Sequence, residues 1–291
     1  MKLLVLGGSG FLGSAIVNYA LKNKMDIDMF CTYFSATPSK FLINKIKFNF
    51  KNKNDLEMLI ANVKPDLIIN AIALANVDHC QQDKKQAFHL NVCLPSILAK
   101  ICNRMNIKLA HISTDHIFNG ISRIPYAEES TPDPQNYYAE SKLLGEYEVI
   151  ENCENAIIAR TNFFGNKNDP NSFVTKVLNA TPEEPFGLFN DVYFSPLSSS
   201  EVAECIFKLI EINYQGVINI TSGDSVSKFE FGKLVLIAVN ASASGIFERS
   251  IEDMADLVIR PKMLSLSNKK LVRLLGESYN FDIKKSISTV L

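Results

Sequence analysis

The first thirteen residues constrain the fold more than any other part of this 291-residue chain. An apolar run at residues 3–6 leads directly into a loop that contains Gly7, Gly10 and Gly13, and a helical pattern follows. Glycine permits a tight turn, lets the backbone approach a ligand closely and lets the helix pack against the strand. The N–H groups at the start of that helix favour a phosphate. The pattern therefore predicts a strand–loop–helix unit that binds a dinucleotide.

Strand-like and helix-like segments alternate along much of the chain. Apolar strand patterns occur at residues 27–32, 46–48, 67–69, 108–113 and 156–160. Helical patterns separate them, for example at residues 84–105 and 137–151. Parallel strands joined by right-handed helical crossovers produce this alternation. The sequence therefore predicts an α/β fold with a Rossmann-type, doubly wound parallel sheet.

The alternation loosens after residue 165, where proline, asparagine and serine become commoner. Domain boundaries fall in such segments. We predict a dinucleotide-binding Rossmann domain at residues 1–165, to which the chain returns at about 190–222. Residues 166–189 and 223–291 would form a smaller C-terminal, substrate-binding lobe.

Charge and composition exclude several classes of protein. The net charge is −1 and the isoelectric point is about 6.4, so no bulk attraction to nucleic acid or to a membrane surface is expected. No apolar run reaches the roughly 18 residues of a membrane span. The six cysteines are scattered without a C-x-x-C pair, and the four histidines lack metal-ligand spacing. We therefore predict no bound structural metal and a reducing, cytoplasmic location, while a requirement for an added divalent metal stays open.

Tyr138 and Lys142 lie four residues apart in a predicted helix, so their side chains share one face of it. A free phenol has a pKa of about 10, and a neighbouring ammonium group makes it a better proton donor at neutral pH. The same ammonium group would hold a ribose hydroxyl of the cofactor. Thr114 ends a predicted strand and would orient a substrate carbonyl group against the phenol. The predicted catalytic set is therefore Thr114, Tyr138 and Lys142.

Polar residues follow three of the predicted strands. Asn70 follows one of them, residues 113–115 follow the next, and residues 160–162 follow the one after. Each position alone is typical of a turn or a cap. Because ligands of open α/β sheets bind beyond the carboxyl ends of the strands, the set predicts a ligand site at this edge.

Together these motifs resemble the extended short-chain dehydrogenase/reductases, specifically the dTDP-4-dehydrorhamnose reductase family. The resemblance covers nearly the whole chain and rests on separate motifs. They are the loop at 7–13, N-A-I-A with V-D at 70–78, A-F-H-L-N at 87–91, S-T-D-H-I-F-N-G at 113–120, the Y-x-x-x-K helix at 138–146, the R-T pair at 160–161 and an R-P-x-x-S-x-L…K-L signature at 260–271.

The resemblance implies an enzyme that uses NAD(P)H to reduce the 4-keto group of a nucleotide-linked 6-deoxyhexose. Tyr138 would donate the proton, Lys142 would support it, and Thr114 would orient the carbonyl group. The implied substrate-binding residues are Asp115, His116, Phe163 and Arg260, the last of them facing a diphosphate. The cofactor-binding residues would be Gly7, Gly10, Phe11, Leu12, Gly13, Thr32, Asn49, Phe50, Ala71, Ile72, Ala73 and Lys142.

The end of the second predicted strand bears on the choice of cofactor. NAD-specific folds place an acidic residue there to bind the ribose 2′-hydroxyl, whereas this chain has Thr32 and then Ser35, with lysines such as Lys40 and Lys45 close by. A missing carboxylate removes the repulsion that a 2′-phosphate would meet, and either hydroxyl would bind that phosphate. We predict NADPH as the preferred cofactor, with NADH also usable.

Some residues depart from the family's usual pattern. His116 and Leu74 replace tyrosines, Asn49 replaces an aspartate and Phe163 replaces a tryptophan. The catalytic trio is kept while substrate-facing residues differ, which leaves the identity of the sugar open. Three alternatives remain: a reductase or epimerase of another nucleotide sugar, a non-catalytic regulatory subunit of the same fold, and a flavin- or quinone-binding scaffold. The oligomeric state also stays open, and a homodimer is one arrangement.

Overall fold

The structure is a computed structural model that describes residues 1–34, 44–169, 172–254 and 258–291. Its strands are β1 (Lys2–Leu6), β2 (Asp28–Tyr33), β3 (Asn44–Lys47), β4 (Leu67–Asn70), β5 (Lys108–Thr114), β6 (Ala156–Thr161), β7 (Phe163–Phe164), β8 (Phe186–Phe189), β9 (Tyr193–Phe194), β10 (Leu197–Ser198), β11 (Gly216–Ile220), β12 (Val226–Ser227), β13 (Ile246–Arg249) and β14 (Met263–Leu264).

The α-helices are α1 (Phe11–Lys22), α2 (Lys53–Val63), α3 (Val77–Gln82), α4 (Lys84–Phe88), α5 (Leu94–Met105), α6 (Tyr137–Asn152), α7 (Phe173–Leu178), α8 (Ser199–Glu211), α9 (Lys228–Ala238), α10 (Lys269–Leu275) and α11 (Ile283–Ser288). Within the described ranges, no helix is both long enough and apolar enough to cross a membrane.

Among the described residues, seven strands form one sheet in the order β11-β6-β5-β4-β1-β2-β3. Strand β1 runs parallel to both β2 and β4, and the pairs β2–β3 and β4–β5 are also parallel. The strand order reverses beside β1, which is the defining feature of a doubly wound sheet. The predicted Rossmann-type α/β fold is therefore confirmed.

The central strands of this sheet have apolar residues at consecutive positions. Leu3 and Leu4 of β1 and Ile68 and Ile69 of β4 are all completely buried. Parallel sheets show this pattern because helices cover both of their faces. Apolar side chains of α2 and α5 join strand residues in one core cluster.

The helical pattern predicted for residues 84–105 forms α4, a π-helical turn at His89–Cys93 and α5. Asn91 in this turn donates to the Leu74 carbonyl oxygen at 3.0 Å and to Ser141 Oγ at 2.9 Å. A Cβ atom on Gly145 would lie 2.1 Å from the Asn91 carbonyl oxygen. Glycine at this position of α6 therefore permits a close approach between the two helices.

The chain divides into two compact units. Unit 1 comprises residues 1–114, 137–160 and 203–218, and unit 2 comprises residues 115–136, 161–202 and 219–291. Residues 115–136, which the sequence analysis counted with the first domain, thus belong to unit 2. The boundary predicted at residue 165 divides a cofactor-binding domain from a substrate-binding lobe, and this functional division stays a prediction.

Unit 2 has its own aromatic core. The ring of the completely buried Phe231 lies 4.9 Å from that of Phe164 and 5.5 Å from those of Phe173 and Phe194. Aromatic pairs favour such offset and tilted arrangements. Buried apolar residues of α7, α9 and α11 complete the cluster.

Candidate active site and cofactor pocket

The glycine-rich loop forms a tight cradle at the end of β1. Gly7 has a φ of +79°, which residues other than glycine rarely adopt, and its carbonyl oxygen accepts the Gly10 N–H at 2.9 Å. A Cβ atom on Gly13 would lie 2.1 Å from that same oxygen. Helix α1 can therefore begin directly against the loop.

A cavity of about 390 Å³ lies beside this loop in unit 1. Eight of the predicted cofactor-binding residues line it: Gly7, Gly10, Thr32, Asn49, Phe50, Ala71, Ile72 and Ala73. The other four predicted residues are not in the cavity wall. Phe11, Leu12 and Gly13 form the first turn of α1, and Lys142 lies on α6.

The sequence analysis did not assign Gln86 and His89 to the cofactor site, and both line this cavity. The His89 ring stacks on that of Phe50, with 4.7 Å between the ring centres. The A-F-H-L-N motif includes His89, so the resemblance carried a signal for this residue. For Gln86 we find no signal in the sequence.

Thr32 is buried, and its Oγ1 accepts the Gly7 N–H at 2.9 Å. The hydroxyl group therefore supports the loop from the neighbouring strand β2. None of the described residues that line the cavity is an aspartate or a glutamate. Ser35 and Lys40, which the sequence analysis also considered, lie outside the described residues.

The predicted catalytic residues lie on two neighbouring elements of unit 1. Tyr138 and Lys142 are one turn apart on α6, and Thr114 is the last residue of β5. Lys142 Nζ donates to the Ile112 carbonyl oxygen at 2.6 Å. Tyr138 packs in a small buried cluster that includes Cys80 of α3. The Lys142 bond thus ties the tyrosine-bearing helix to the strand that ends in Thr114.

Burial shifts the pKa of several groups around Lys142. It lowers the pKa of Lys142 to about 8, while Glu146 and Cys80 oppose this change. Burial raises the pKa of Cys80 to about 11, and burial together with Lys142 lowers the pKa of His111 well below its usual value. At neutral pH, Lys142 is therefore mostly charged and His111 is neutral.

Two polar residues of the predicted ligand edge, Ser113 and Arg160, form hydrogen bonds to Glu146 within unit 1. Arg160 Nη2 lies 2.8 Å from Glu146 Oε2, and Arg160 Nε donates to both carboxylate oxygens at 3.1 Å. Ser113 Oγ donates to Glu146 Oε1. The Arg160 and Glu146 side chains are only 5% and 0% exposed. Glu146 is a residue that the sequence analysis did not single out.

Unit 2 contains the predicted substrate-binding residues. Asp115 follows Thr114 directly in the chain, and its Oδ2 accepts a hydrogen bond from Asn162 at 2.7 Å. Burial lowers the pKa of His116; Asp115 opposes this change, and Arg260 adds to it. Asp115 and Arg260 therefore both lie within electrostatic reach of His116. Phe163 is half-buried on β7.

Lys228 is a further residue of this charged group that sequence reasoning missed. Its Nζ lies 3.3 Å from the centre of the Phe194 ring, and burial lowers the pKa of Lys228 to about 8 against the opposing effect of Asp115. Lys228 is also one of the causes that lower the pKa of His116. In the sequence it looks like an ordinary surface lysine at the start of a helix.

Two curated relatives are similar to this chain over most of its length. A "probable low-salt glycan biosynthesis reductase" of Haloferax volcanii is 27% identical over 92% of this chain and 91% of its own length. A dTDP-4-dehydrorhamnose reductase of Aggregatibacter actinomycetemcomitans is 26% identical over 94% of this chain and 93% of its own.

Among solved structures, the dTDP-4-dehydrorhamnose reductase of Bacillus anthracis in complex with NADP has the same fold, with a TM-score of 0.86, 23% identity and coverage of 99% of this chain and 98% of that one. The model of the family described as "RmlD substrate binding domain" matches residues 1–290. This match confirms the resemblance found in the sequence motifs. The chain belongs to the RmlD substrate binding domain family.

Proposed function

We propose that this protein reduces the 4-keto group of a nucleotide-linked 6-deoxyhexose with NADPH as the hydride donor. One observation carries the proposal: Lys142 is bound to the backbone of β5 two residues before Thr114, one helical turn from Tyr138. This bond attaches the helix that carries the proposed proton donor and cation to the strand that ends in the proposed orienting hydroxyl group. A protein that only bound nucleotides would not need this set.

A dinucleotide cofactor fits the residues of unit 1. Helix α1 lies so close to the glycine loop that a Cβ atom on Gly13 would overlap the Gly7 backbone. The cavity beside the loop has a mainly apolar lining. The loop N–H groups and the start of α1 would hold the pyrophosphate, and Thr32 and Asn49 would contact the adenosine half. When bound, the reduced nicotinamide supplies a hydride.

Within the catalytic set, Tyr138 donates its phenolic proton to the carbonyl oxygen as that oxygen gains negative charge. Thr114 donates a hydrogen bond that orients the same carbonyl group. The Lys142 ammonium group stabilises the phenolate that Tyr138 becomes. A unit charge at about 4 Å contributes up to about 4 kcal/mol at an effective dielectric of about 20.

We propose that Asp115, His116, Phe163 and Arg260 bind the substrate, with Arg260 directed at the diphosphate. Lys228 is added to this group because it shares its electrostatic environment with Asp115 and His116. Binding energy from the nucleotide half would position the sugar for reaction. A homodimer and a cytoplasmic location complete the proposal, and both stay predictions.

The proposed function is tested with a panel of nucleotide sugars and purified protein, by following NADPH consumption. We expect turnover with a dTDP-4-keto-6-deoxyhexose and none with dTDP-glucose, which has the same nucleotide but no keto group. Turnover only with a different keto sugar would favour the alternative of another nucleotide-sugar reductase. Tight binding of NADPH and of a nucleotide sugar without turnover would favour a regulatory subunit.

The cofactor preference gives a separate prediction. We expect a higher kcat/KM for NADPH than for NADH with one substrate, because no carboxylate among the described cavity residues would repel a 2′-phosphate. The two cofactors are compared in the same buffer at one sugar concentration. A ratio that favours NADH tenfold or more would contradict this interpretation of the β2 end.

A further inference from the structure

We propose that Glu146 is a positioning residue for the reaction: it holds α6 in register with the end of β5 and supplies the negative charge opposite the Lys142 ammonium group. The inference rests on the proposed reductase activity, in which Lys142 supports Tyr138. It assigns a role to a buried ion pair that the mechanism above does not use.

Helix α6 contacts β5 at regular intervals along its length. Tyr138, Lys142 and Glu146 follow one another at intervals of four, so they share a face of the helix. Lys142 Nζ donates to the Ile112 carbonyl oxygen at 2.6 Å, and Glu146 Oε1 accepts the hydroxyl hydrogen of the next strand residue, Ser113. Two successive helical turns are thus attached to two successive strand residues. Thr114 is the next residue of that strand.

The Glu146 side chain is itself held in place by several hydrogen bonds. Its carboxylate is completely buried and receives three hydrogen bonds of 2.8 to 3.1 Å from the planar guanidinium of Arg160 on β6. Such fork-to-fork pairs fix orientation as well as adding energy. The preceding residue, Gly145, packs against the Asn91 carbonyl oxygen, where a Cβ atom would not fit. Glu146 therefore holds α6 against both β5 and β6.

Several titratable and charged groups surround Lys142. The titratable groups near it are Glu146 and Tyr138 on its own helix, His111 on β5 and Cys80 on α3, and Arg160 on β6 faces Glu146. Burial lowers the pKa of Lys142 to about 8, and Glu146 is the first of the causes that oppose this effect. Without the carboxylate, Arg160 would add repulsion, and Lys142 would lose its proton at a lower pH.

The test is Glu146→Gln, which keeps the shape and an acceptor oxygen but removes the charge. We expect the alkaline fall in kcat to move to lower pH by about one unit, the lower end of what a neighbouring opposite charge contributes. The KM for the nucleotide sugar should change less than twofold. The matched control is Glu148→Gln on the same helix, where Glu148 instead accepts from Ser96 and lies 3.8 Å from Lys100. Its pH profile should equal that of the wild type.

Two further variants keep the proposal testable if Glu146→Gln does not fold. Glu146→Asp retains the charge, so its alkaline limb should stay at the wild-type pH even if kcat falls. The double variant Glu146→Gln/Arg160→Gln removes both charges, and its limb should lie between those of the wild type and Glu146→Gln. The proposal would be overturned if kcat fell at the same alkaline pH as in the wild type in every folded variant that lacks the carboxylate, that is, Glu146→Gln and Glu146→Gln/Arg160→Gln.

A binding measurement separates this inference from the proposed function. Lys142 would hold a ribose hydroxyl, so NADPH affinity measured by fluorescence should weaken as Lys142 loses its proton, and at a lower pH in Glu146→Gln than in the wild type. If wild-type protein reduced no sugar, the proposed function would fail while this titration still decided the role of Glu146. Identical titration curves for the two proteins would overturn that role.

Discussion

Replacing Tyr138 with phenylalanine should lower kcat by at least about a hundredfold, the lower end of what acid–base groups contribute. The substitution removes the phenolic oxygen and leaves the ring, which packs with Cys80 and Ala87. The fold and the cofactor cavity should therefore persist, so NADPH affinity should change little. Steady-state kinetics and a fluorescence titration of NADPH measure the two effects separately.

The neighbouring tyrosine provides the control. Tyr137→Phe removes the same atom from the preceding residue of α6, whose ring lies under the Lys84 ammonium group at 5.1 Å. Its turnover should stay near the wild-type value. If Tyr138→Phe were as active as Tyr137→Phe, the assignment of Tyr138 as the proton donor would be wrong.

Replacing Arg160 with methionine should lower the free energy of unfolding by about 3–5 kcal/mol, because it leaves the Glu146 carboxylate buried without its partner. Methionine fills much of the same volume, so the loss reports the uncompensated charge rather than a cavity. Urea unfolding followed by circular dichroism measures the change. The slope of the transition should be the same in both proteins if both unfold in two states.

The control for this variant is an exposed pair of the same kind. Arg104 Nη2 lies 2.8 Å from Glu57 Oε1, the same separation as in the buried pair, but these side chains are 59% and 32% exposed. Water stabilises each of these charges without its partner, so Arg104→Met should change stability little. Equal losses in the two variants would show that burial does not set the strength of the Arg160 pair.

Much of the fold was predictable because its signals are local. The glycine spacing indicates a tight loop, and the apolar runs of β1 and β4 indicate strands that are buried on both faces. The alternation of strand-like and helix-like hydrophobic patterns indicates parallel strands with helical crossovers. The pairing of Tyr138 with Lys142 was predictable for the same reason, since two residues four apart on a helix must share a face. These features depend on neighbours in the sequence.

The role of Arg160 was not predictable in this way. As a polar residue after a strand it looked like a candidate ligand group, but its guanidinium is committed to Glu146. The sequence does not say which carboxylate an arginine meets, because that depends on how α6 lies across β6. The close approach of Gly145 to Asn91 allows this arrangement, and it involves a π-helical turn that apolar periodicity does not reveal.

By itself, the sequence determined the Rossmann-type sheet, the glycine cradle and the shared helix face of Tyr138 and Lys142, because each follows from local spacing and backbone sterics. Only the tertiary structure decided that Glu146 is held by Arg160 in a buried ion pair on the helix that carries Lys142, and that Lys228 lies over Phe194 in the environment of Asp115. Both depend on packing between residues far apart in the chain. Burial at such contacts shifts the pKa of a lysine, and the residue type alone does not reveal that shift.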